Sequence, residues 1–158
     1  MAGKLRAAVE ARRDPDLLII ARTDAVAVTG TDDAIARARV FADAGADLLF
    51  VEAPSSEADI ERVATELRGV APLVFNWAEG GRTPPLSLER ITELGFSLVI
   101  YPIGTLLAAT AGIRTMLATL KRDGVPTAAL DAVPTFGEFT DLIGLPEVQQ
   151  LEQRFSGA

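Results

Sequence analysis

Four apolar runs in this 158-residue sequence are each followed by side chains that can handle an anion. The first run leads into Arg22-Thr23-Asp24-Ala25 and the second into Glu52-Ala53-Pro54. The third leads into Asn76-Trp77-Ala78-Glu79-Gly80-Gly81 and the fourth into Pro102-Ile103-Gly104. An arginine offers a planar fork that fits a carboxylate or phosphate. A glutamate directly after an apolar run can hold a metal-bound water or a substrate hydroxyl. An asparagine can donate to an oxyanion without ionising itself. Arg22, Glu52 and Asn76 could therefore converge on one small anion. The competing reading is that Arg22 and Glu52 merely pair across neighbouring strands, and position alone leaves both open. Gly80-Gly81 could present backbone amides to a phosphate or simply make a turn. Trp77 could wall a pocket or pack. Thr23 and Asp24 are expected to tie the loop backbone, and Asp32 and Asp33 to start a helix rather than bind metal.

The composition narrows the chemistry. There is no cysteine and no histidine, so thiolate metal sites, disulfides, imidazole acid–base catalysis and Ser-His-Asp triads are excluded within this chain. What remains is carboxylate, Arg, Lys, hydroxyl, amide, or a metal held by oxygen. The net charge of −7 repels a phosphate backbone, which argues against nucleic-acid binding but not against a small anion held by local basic groups. The chain is long enough to bury one real core, and its mean hydropathy of +0.26 hints at surfaces covered by something beyond it. No apolar run reaches the roughly 18–20 residues that span a membrane. Charged residues at Arg6, Glu10, Arg12 and Arg13 follow the N-terminus without a signal core, so a cytoplasmic protein is expected.

The elements that must position these residues are short buried strands alternating with helices. The apolar runs Leu17–Ala21, Leu48–Val51, Leu73–Phe75 and Leu98–Tyr101 show little internal alternation, as in strands of a parallel sheet covered on both faces. Their spacing is that of a βα unit. A helix near Lys4–Arg12 precedes them and breaks at Asp14-Pro15-Asp16. Another starts at Thr31-Asp32-Asp33 and ends at Gly45. A third is capped by Ser55 or Ser56. Ser87 caps a fourth that stops at Gly95, and a longer one runs from Leu106 to Arg122 and stops at Gly124. Short helices over Phe136–Ile143 and Pro146–Phe155 follow. The expected fold class is α/β, with four βα units over residues 1–125 and a helical tail over 126–158. Either an open doubly wound sheet or half of an eight-stranded (β/α)8 barrel would satisfy this series. Four strands cannot close an ordinary barrel, and a half-barrel leaves two open edges. The half-barrel reading therefore predicts a partner or a homo-oligomer.

At the strand ends the sequence resembles the isocitrate lyase / phosphoenolpyruvate mutase superfamily. The resemblance lies in Ala21-Arg22-Thr23-Asp24-Ala25, Ala44-Gly45-Ala46-Asp47, Phe50-Val51-Glu52-Ala53, Asn76 with Glu79-Gly80-Gly81 and Thr83-Pro84, and Tyr101-Pro102. It covers nearly all of this chain but only the C-terminal half of a family barrel. The resemblance implies a TIM-like barrel and a Mg²⁺-assisted reaction on small α-keto or α-hydroxy carboxylates. C–C or P–C bonds are made or cleaved there through an enolate-like intermediate. It also implies that Arg22, Glu52 and Asn76 are the catalytic and substrate-binding residues, with Trp77 and Pro102 beside the substrate. Two positions depart from the methylisocitrate-cleaving branch. Leu107 stands where that branch has a substrate-binding Arg, and Ala78 where it has a hydroxyl residue. These departures favour the decarboxylase, hydrolase or mutase-like branches. The family's metal-binding aspartates and its Lys/Cys/His gating loop belong to the N-terminal half. This chain is thus expected to lack direct metal ligands and to be inactive alone.

Overall fold

The computed structural model describes residues 1–156. Its chain falls into two compact units, Met1–Gly104 and the residues from Thr105 onward. The first unit holds, in order, α1 (Ala2–Ala11), β1 (Ile20–Thr23), α2 (Val26–Thr29), α3 (Thr31–Asp43), β2 (Leu48–Val51), α4 (Glu57–Glu66), β3 (Val74–Asn76), α5 (Leu88–Leu94) and β4 (Leu98–Ile100).

The strand pairing decides between the two closures. β1 pairs parallel with β2, β3 pairs parallel with β4, and a parallel bridge between Leu49 and Leu73 joins the pairs. The spatial order is therefore the chain order, with no reversal. A doubly wound sheet needs a reversal at its switch point, whereas a (β/α)8 barrel does not. The architecture is that of a partial TIM-type barrel.

Alternate residues of each strand face opposite ways, and the two faces differ. Ala21, Thr23, Leu49, Val51, Leu73 and Phe75 turn toward the helices and are buried. They pack with Ile35, Ala38 and Phe41 of α3 and with Ile60, Val63 and Ala64 of α4. Phe75 meets Phe96 edge to face at 5.2 Å between ring centres. Each of these larger apolar side chains contributes about 1.5–3 kcal/mol by leaving water. On the opposite, concave face Leu48, Phe50, Val74 and Ile100 form a smaller cluster. Ile20 and Leu98 at its margins remain 45% and 39% exposed.

Local chemistry sets most helix boundaries as expected. Ser56 accepts from the amide of Asp59 to cap α4, and Ser87 accepts from the amide of Arg90 to cap α5. Asp32 and Asp33 lie in the first turn of α3, where negative charge suits the helix dipole. The cap position there is Gly30, however, and Thr31 instead donates its hydroxyl to Asp59. At Gly45 the backbone takes φ 96°, and a Cβ there would sit 2.9 Å from Val9 Cγ2. Glycine thus lets α1 lie against the end of α3.

The first strand departs from expectation. It begins at Ile20 rather than Leu17, because the amide of Leu17 turns back to the carbonyl of Asp14. Asp47 then accepts from the Ile19 amide and from Arg12, each at 2.7 Å, and this contact sets where β1 starts beside β2. β1 also alternates between exposed and buried positions and is not buried on both faces, unlike β2.

The second unit is helical. α6 (Gly104–Asp123) runs into it, followed by a 3-10 helix (Thr127–Ala132), α7 (Phe136–Leu142) and α8 (Leu145–Phe155). Neither this 3-10 turn nor α2 is expected from the sequence. A capping box closes on α7, with Thr135 and Glu138 satisfying each other's backbone amides. Phe136, Leu142 and Phe155 stay largely exposed.

Candidate functional site

Arg22, Glu52 and Asn76 leave the C-terminal ends of β1, β2 and β3 on the concave side. Arg22 is the second-last residue of β1, and its Cα partner in the ladder is Phe50. Its guanidinium carbon stands 5.0 Å from the centre of the Phe50 ring. Glu52 follows β2 directly, and its amide donates to the carbonyl of Thr23 at 3.0 Å, which extends the ladder to the site. Asn76 ends β3 opposite Ile100.

The three side chains form one connected row. Asn76 Nδ2 donates to both oxygens of Glu52, at 3.2 and 3.4 Å. Arg22 Nη1 lies 3.6 Å from Glu52 Oε2. Glu52 is mostly covered, with 20% of its side chain exposed, whereas Arg22 is 48% exposed. The two readings of the pair thus meet in one geometry: the residues are ion-paired across adjacent strands, and Arg22 is open to solvent. Because Glu52 needs a donor, the Asn76 amide must point its nitrogen toward it. That leaves Asn76 Oδ1 buried with no donor among the described residues. A buried acceptor without a partner is costly.

Asp24 behaves differently from expectation. Rather than tying the loop backbone, it accepts two hydrogen bonds from Arg22, Nε to Oδ2 at 3.0 Å and Nη2 to Oδ1 at 2.6 Å. The bond from Arg22 holds the Asp24 carboxyl below its ordinary range, and Asp24 in turn raises the arginine. A signal for this was present in the sequence, since residues two apart on an extended chain share a face. Thr23 does tie the loop, accepting from the Ala25 amide at 3.3 Å.

The β3–α5 loop builds the other wall. Trp77 donates its indole N–H to the carbonyl of Leu86 at 2.9 Å and packs beside the Ile60, Phe75 and Ile91 cluster. Its ring lies 6.0 Å from that of Tyr101. Gly80-Gly81 forms a turn, with the Gly81 amide donating to Ala78. That amide is used inside the loop, which removes the main support for a phosphate cradle. A recess of about 190 Å³ lies between Asn76, Trp77, Ala78, Gly81 and Thr83. A larger one of about 420 Å³ lies at the opposite strand ends, between Leu67–Leu73 and Gly95–Ser97, away from the row of three. Pro102 is exposed on the loop after β4, and neither it nor Trp77 is hydrogen-bonded to the row.

Three residues without an individual role in the sequence analysis organise this end of the strands. Glu79 accepts from the amide of Ile103 at 3.2 Å, which ties the β3–α5 loop to the chain entering α6. A Cβ on Gly104 would overlap Glu79 Oε1, so glycine is needed for that carboxylate to sit there. Ala53, immediately after Glu52, adopts φ 55°. This left-handed conformation costs an L-residue about 1–2 kcal/mol and turns the chain sharply away from Glu52 toward Pro54.

No group of three or more Asp or Glu side chains converges among the described residues. Mg²⁺ demands octahedral oxygen coordination, commonly from one or two carboxylates with waters and substrate oxygens. Glu52, already shared between Arg22 and Asn76, does not by itself provide a direct ligand set for that ion.

The comparisons agree with this geometry. Residues 1–121 match the family described as phosphoenolpyruvate phosphomutase. The chain is 36% identical over 156 residues to 2,3-dimethylmalate lyase of Eubacterium barkeri, covering 99% of this chain and 53% of that protein. It is 39% identical over 153 residues to probable 2-methylisocitrate lyase 1 of Corynebacterium glutamicum, covering 97% and 50%. A crystal structure of 2,3-dimethylmalate lyase superposes with a TM-score of 0.88 at 36% identity, covering 99% of this chain and 54% of that one. Phosphonopyruvate hydrolase in complex with oxalate and Mg²⁺ superposes with a TM-score of 0.86 at 29% identity, covering 99% and 55%. The chain spans about half the length of these relatives.

Proposed function

The chain belongs to the phosphoenolpyruvate mutase / isocitrate lyase superfamily, and from that premise we propose that it carries the carboxylate-binding half of a superfamily active site. The substrates are small α-keto or α-hydroxy carboxylates. The chemistry is cleavage or formation of a C–C or P–C bond through an enolate-like intermediate. The observation that carries this is the row Arg22–Glu52–Asn76, drawn from three strand ends onto one concave face with Asn76 Oδ1 left without a donor.

In this reading Arg22 binds a substrate carboxylate or phosphonate with its planar fork. Asn76 lines the substrate side of the row and holds Glu52 through its amide nitrogen, and Glu52 receives a hydrogen bond from a substrate hydroxyl or from an ordered water. Trp77 and Pro102 flank the substrate. Magnesium belongs to the proposal as a family expectation, supported by the Mg²⁺ complex of phosphonopyruvate hydrolase. No step is assigned through it, because the described residues do not supply its direct ligands. The repeat-bearing part is residues 1–125 and the tail 126–158, in a cytoplasmic protein that forms a homo-oligomer. Exposed Ile20 and Leu98 in the first unit support association, as do exposed Phe136, Leu142 and Phe155 in the second.

Turnover measurements with Mg²⁺ and isocitrate, methylisocitrate or oxaloacetate test the fragment reading. The 158-residue chain should show no cleavage, and robust turnover would overturn it. Arg22→Ala tests the site: oxalate binding should be lost while the melting temperature barely moves. An exposed ion pair is worth about 0–1 kcal/mol, not the roughly 3–5 kcal/mol lost on breaking a buried one. A second reading, a non-catalytic half-barrel that closes by self-association, is favoured by the exposed concave margin. It requires a tight dimer in sedimentation and no oxalate binding.

A further inference from the structure

The side-on edge of the Arg22 guanidinium is already occupied, and its remaining amino group faces a second carboxylate. Its Nε/Nη2 edge is filled by Asp24 at 3.0 and 2.6 Å, its Nη1 approaches Glu52 at 3.6 Å, and Phe50 lies across it at 5.0 Å. Two carboxylates face one cation, so the cluster is net negative, and an anion arriving there meets repulsion unless one carboxylate leaves. Glu52 is the wrong one to move, because it is mostly covered and held by Asn76. Asp24 is 62% exposed, lies one residue past the β1–β2 ladder, and has Arg22 as its only side-chain partner among the described residues.

We propose that Asp24 is an internal competitor that fills the Arg22 fork and yields it only to a ligand that outbids a tethered carboxylate. This deepens the preceding reading of Arg22 as the substrate-carboxylate ligand and rests on it. A side chain two residues away acts at an effective concentration in the millimolar range or above. A free monocarboxylate offers Arg22 nothing that Asp24 does not already provide, so it loses to the tethered group. A dicarboxylate has a second carboxylate that can accept from Arg22 Nη1, which makes no hydrogen bond among the described residues, and this further contact lets it displace Asp24. The device is a specificity filter against small monoanions, built from residues two apart on one strand end.

The test uses the 158-residue chain, with oxalate and acetate as probes, and reads binding by calorimetry at low salt alongside thermal melts. Wild type, Asp24→Asn, Asp24→Ala and Arg22→Gln are compared. Both Asp24 variants should bind oxalate about 1.5- to 5-fold more tightly than wild type, the range expected when an exposed competing ion pair is removed. Acetate should gain at least as much, narrowing the preference for oxalate. Equal or weaker oxalate binding in both Asp24 variants overturns the proposal, since Asp24 would then be orienting Arg22. So does an absence of oxalate binding in all of the chains, because freeing the fork should create a site. Failure of both Asp24 variants to fold overturns it as well, by making the pair structural. Oxalate binding that persists in Arg22→Gln instead undoes the site reading itself, a result separable from unchanged affinity in the Asp24 variants.

Discussion

The two faces of the short parallel sheet are made by the same strands but held to different standards. On the helix-facing side Ala21, Leu49, Val51, Leu73 and Phe75 are buried among α3, α4 and α5. On the concave side Phe50 and Val74 are covered, but Ile20, Arg22 and Leu98 are open, and the polar row Arg22–Glu52–Asn76 stands at one end. The difference teaches that stability and chemistry are separated by one residue step along each strand. A change at an odd position of β1 tests packing, and a change at an even one tests ligand binding or association. The largest expected effect therefore comes from Leu49, which is fully buried on the helix side. Leu49→Ala should destabilise the chain by about 2–5 kcal/mol through lost transfer energy and a residual cavity. Denaturant unfolding measures it, and a loss below 1 kcal/mol would break the distinction between the faces.

Between the faces, the loops beyond the strand ends have their own requirement. Gly104→Ala should push Glu79 off the Ile103 amide and cost about 1–2 kcal/mol for a lost, partly buried hydrogen bond and its displaced carboxylate. Trp77, the only tryptophan of the chain, reports on that loop through its emission. A double-mutant cycle settles the cause. In a Glu79→Ala background the same glycine substitution should be nearly silent, and an undiminished penalty there would show that the strain lies in the backbone.

Much of this division was legible from residue types alone. β2 runs over Leu48–Val51 as read from the sequence, because every residue in it is apolar and buried. Ser56, Ser87 and Gly95 end or start helices by local hydrogen bonding and backbone conformation, which a sequence displays directly. β1 starts three residues later than its apolar run suggests, because Leu17 and Leu18 are apolar yet exposed. What sets its start is Asp47, which is distant in sequence from Ile19 and Arg12 and becomes a neighbour only through folding. At the site, Arg22, Glu52 and Asn76 could be named from their positions after apolar runs, and their mutual contacts follow from strands adjacent in chain order. Asp24 as partner of Arg22 was readable from its two-residue spacing. The bond from Ile103 to Glu79 was not, since nothing local links position 79 to position 103.

Asp47 also gives the boundary between strand start and helix end a pH signature. The Ile19 amide foremost, with Arg12, holds its carboxyl below the ordinary value of 3.8. A depressed folded-state pKa means that its stabilisation is present above the unfolded value and is lost as pH falls through the folded one. Asp47→Asn should therefore lower the melting temperature at neutral pH and bring the variant closer to wild type as the solution is acidified below about pH 4. Asp24, Asp33 and Asp59 are depressed too, so acid sensitivity should shrink without vanishing. A constant gap between the two melting curves across pH 3–7 would assign the contribution to shape rather than charge.

The smallest effect on monomer stability should come from the concave margin, and it sharpens the comparison most. Ile20 sits one step from Ala21 on β1 but is 45% exposed, against 1% for its neighbour. Ile20→Thr keeps the β-branched shape that suits a strand and removes little buried area, so unfolding of the dilute chain should change by no more than about 0.5 kcal/mol. Ala21→Thr, by contrast, forces a hydroxyl and extra volume into the packed helix-facing layer and should cost about 1–3 kcal/mol. Sedimentation at rising concentration then asks what the exposed face is for. If self-association covers the concave side, Ile20→Thr and Leu98→Thr should weaken the dimer together while leaving the monomer intact. If both variants associate like wild type, the open margin of the sheet is not where two copies meet.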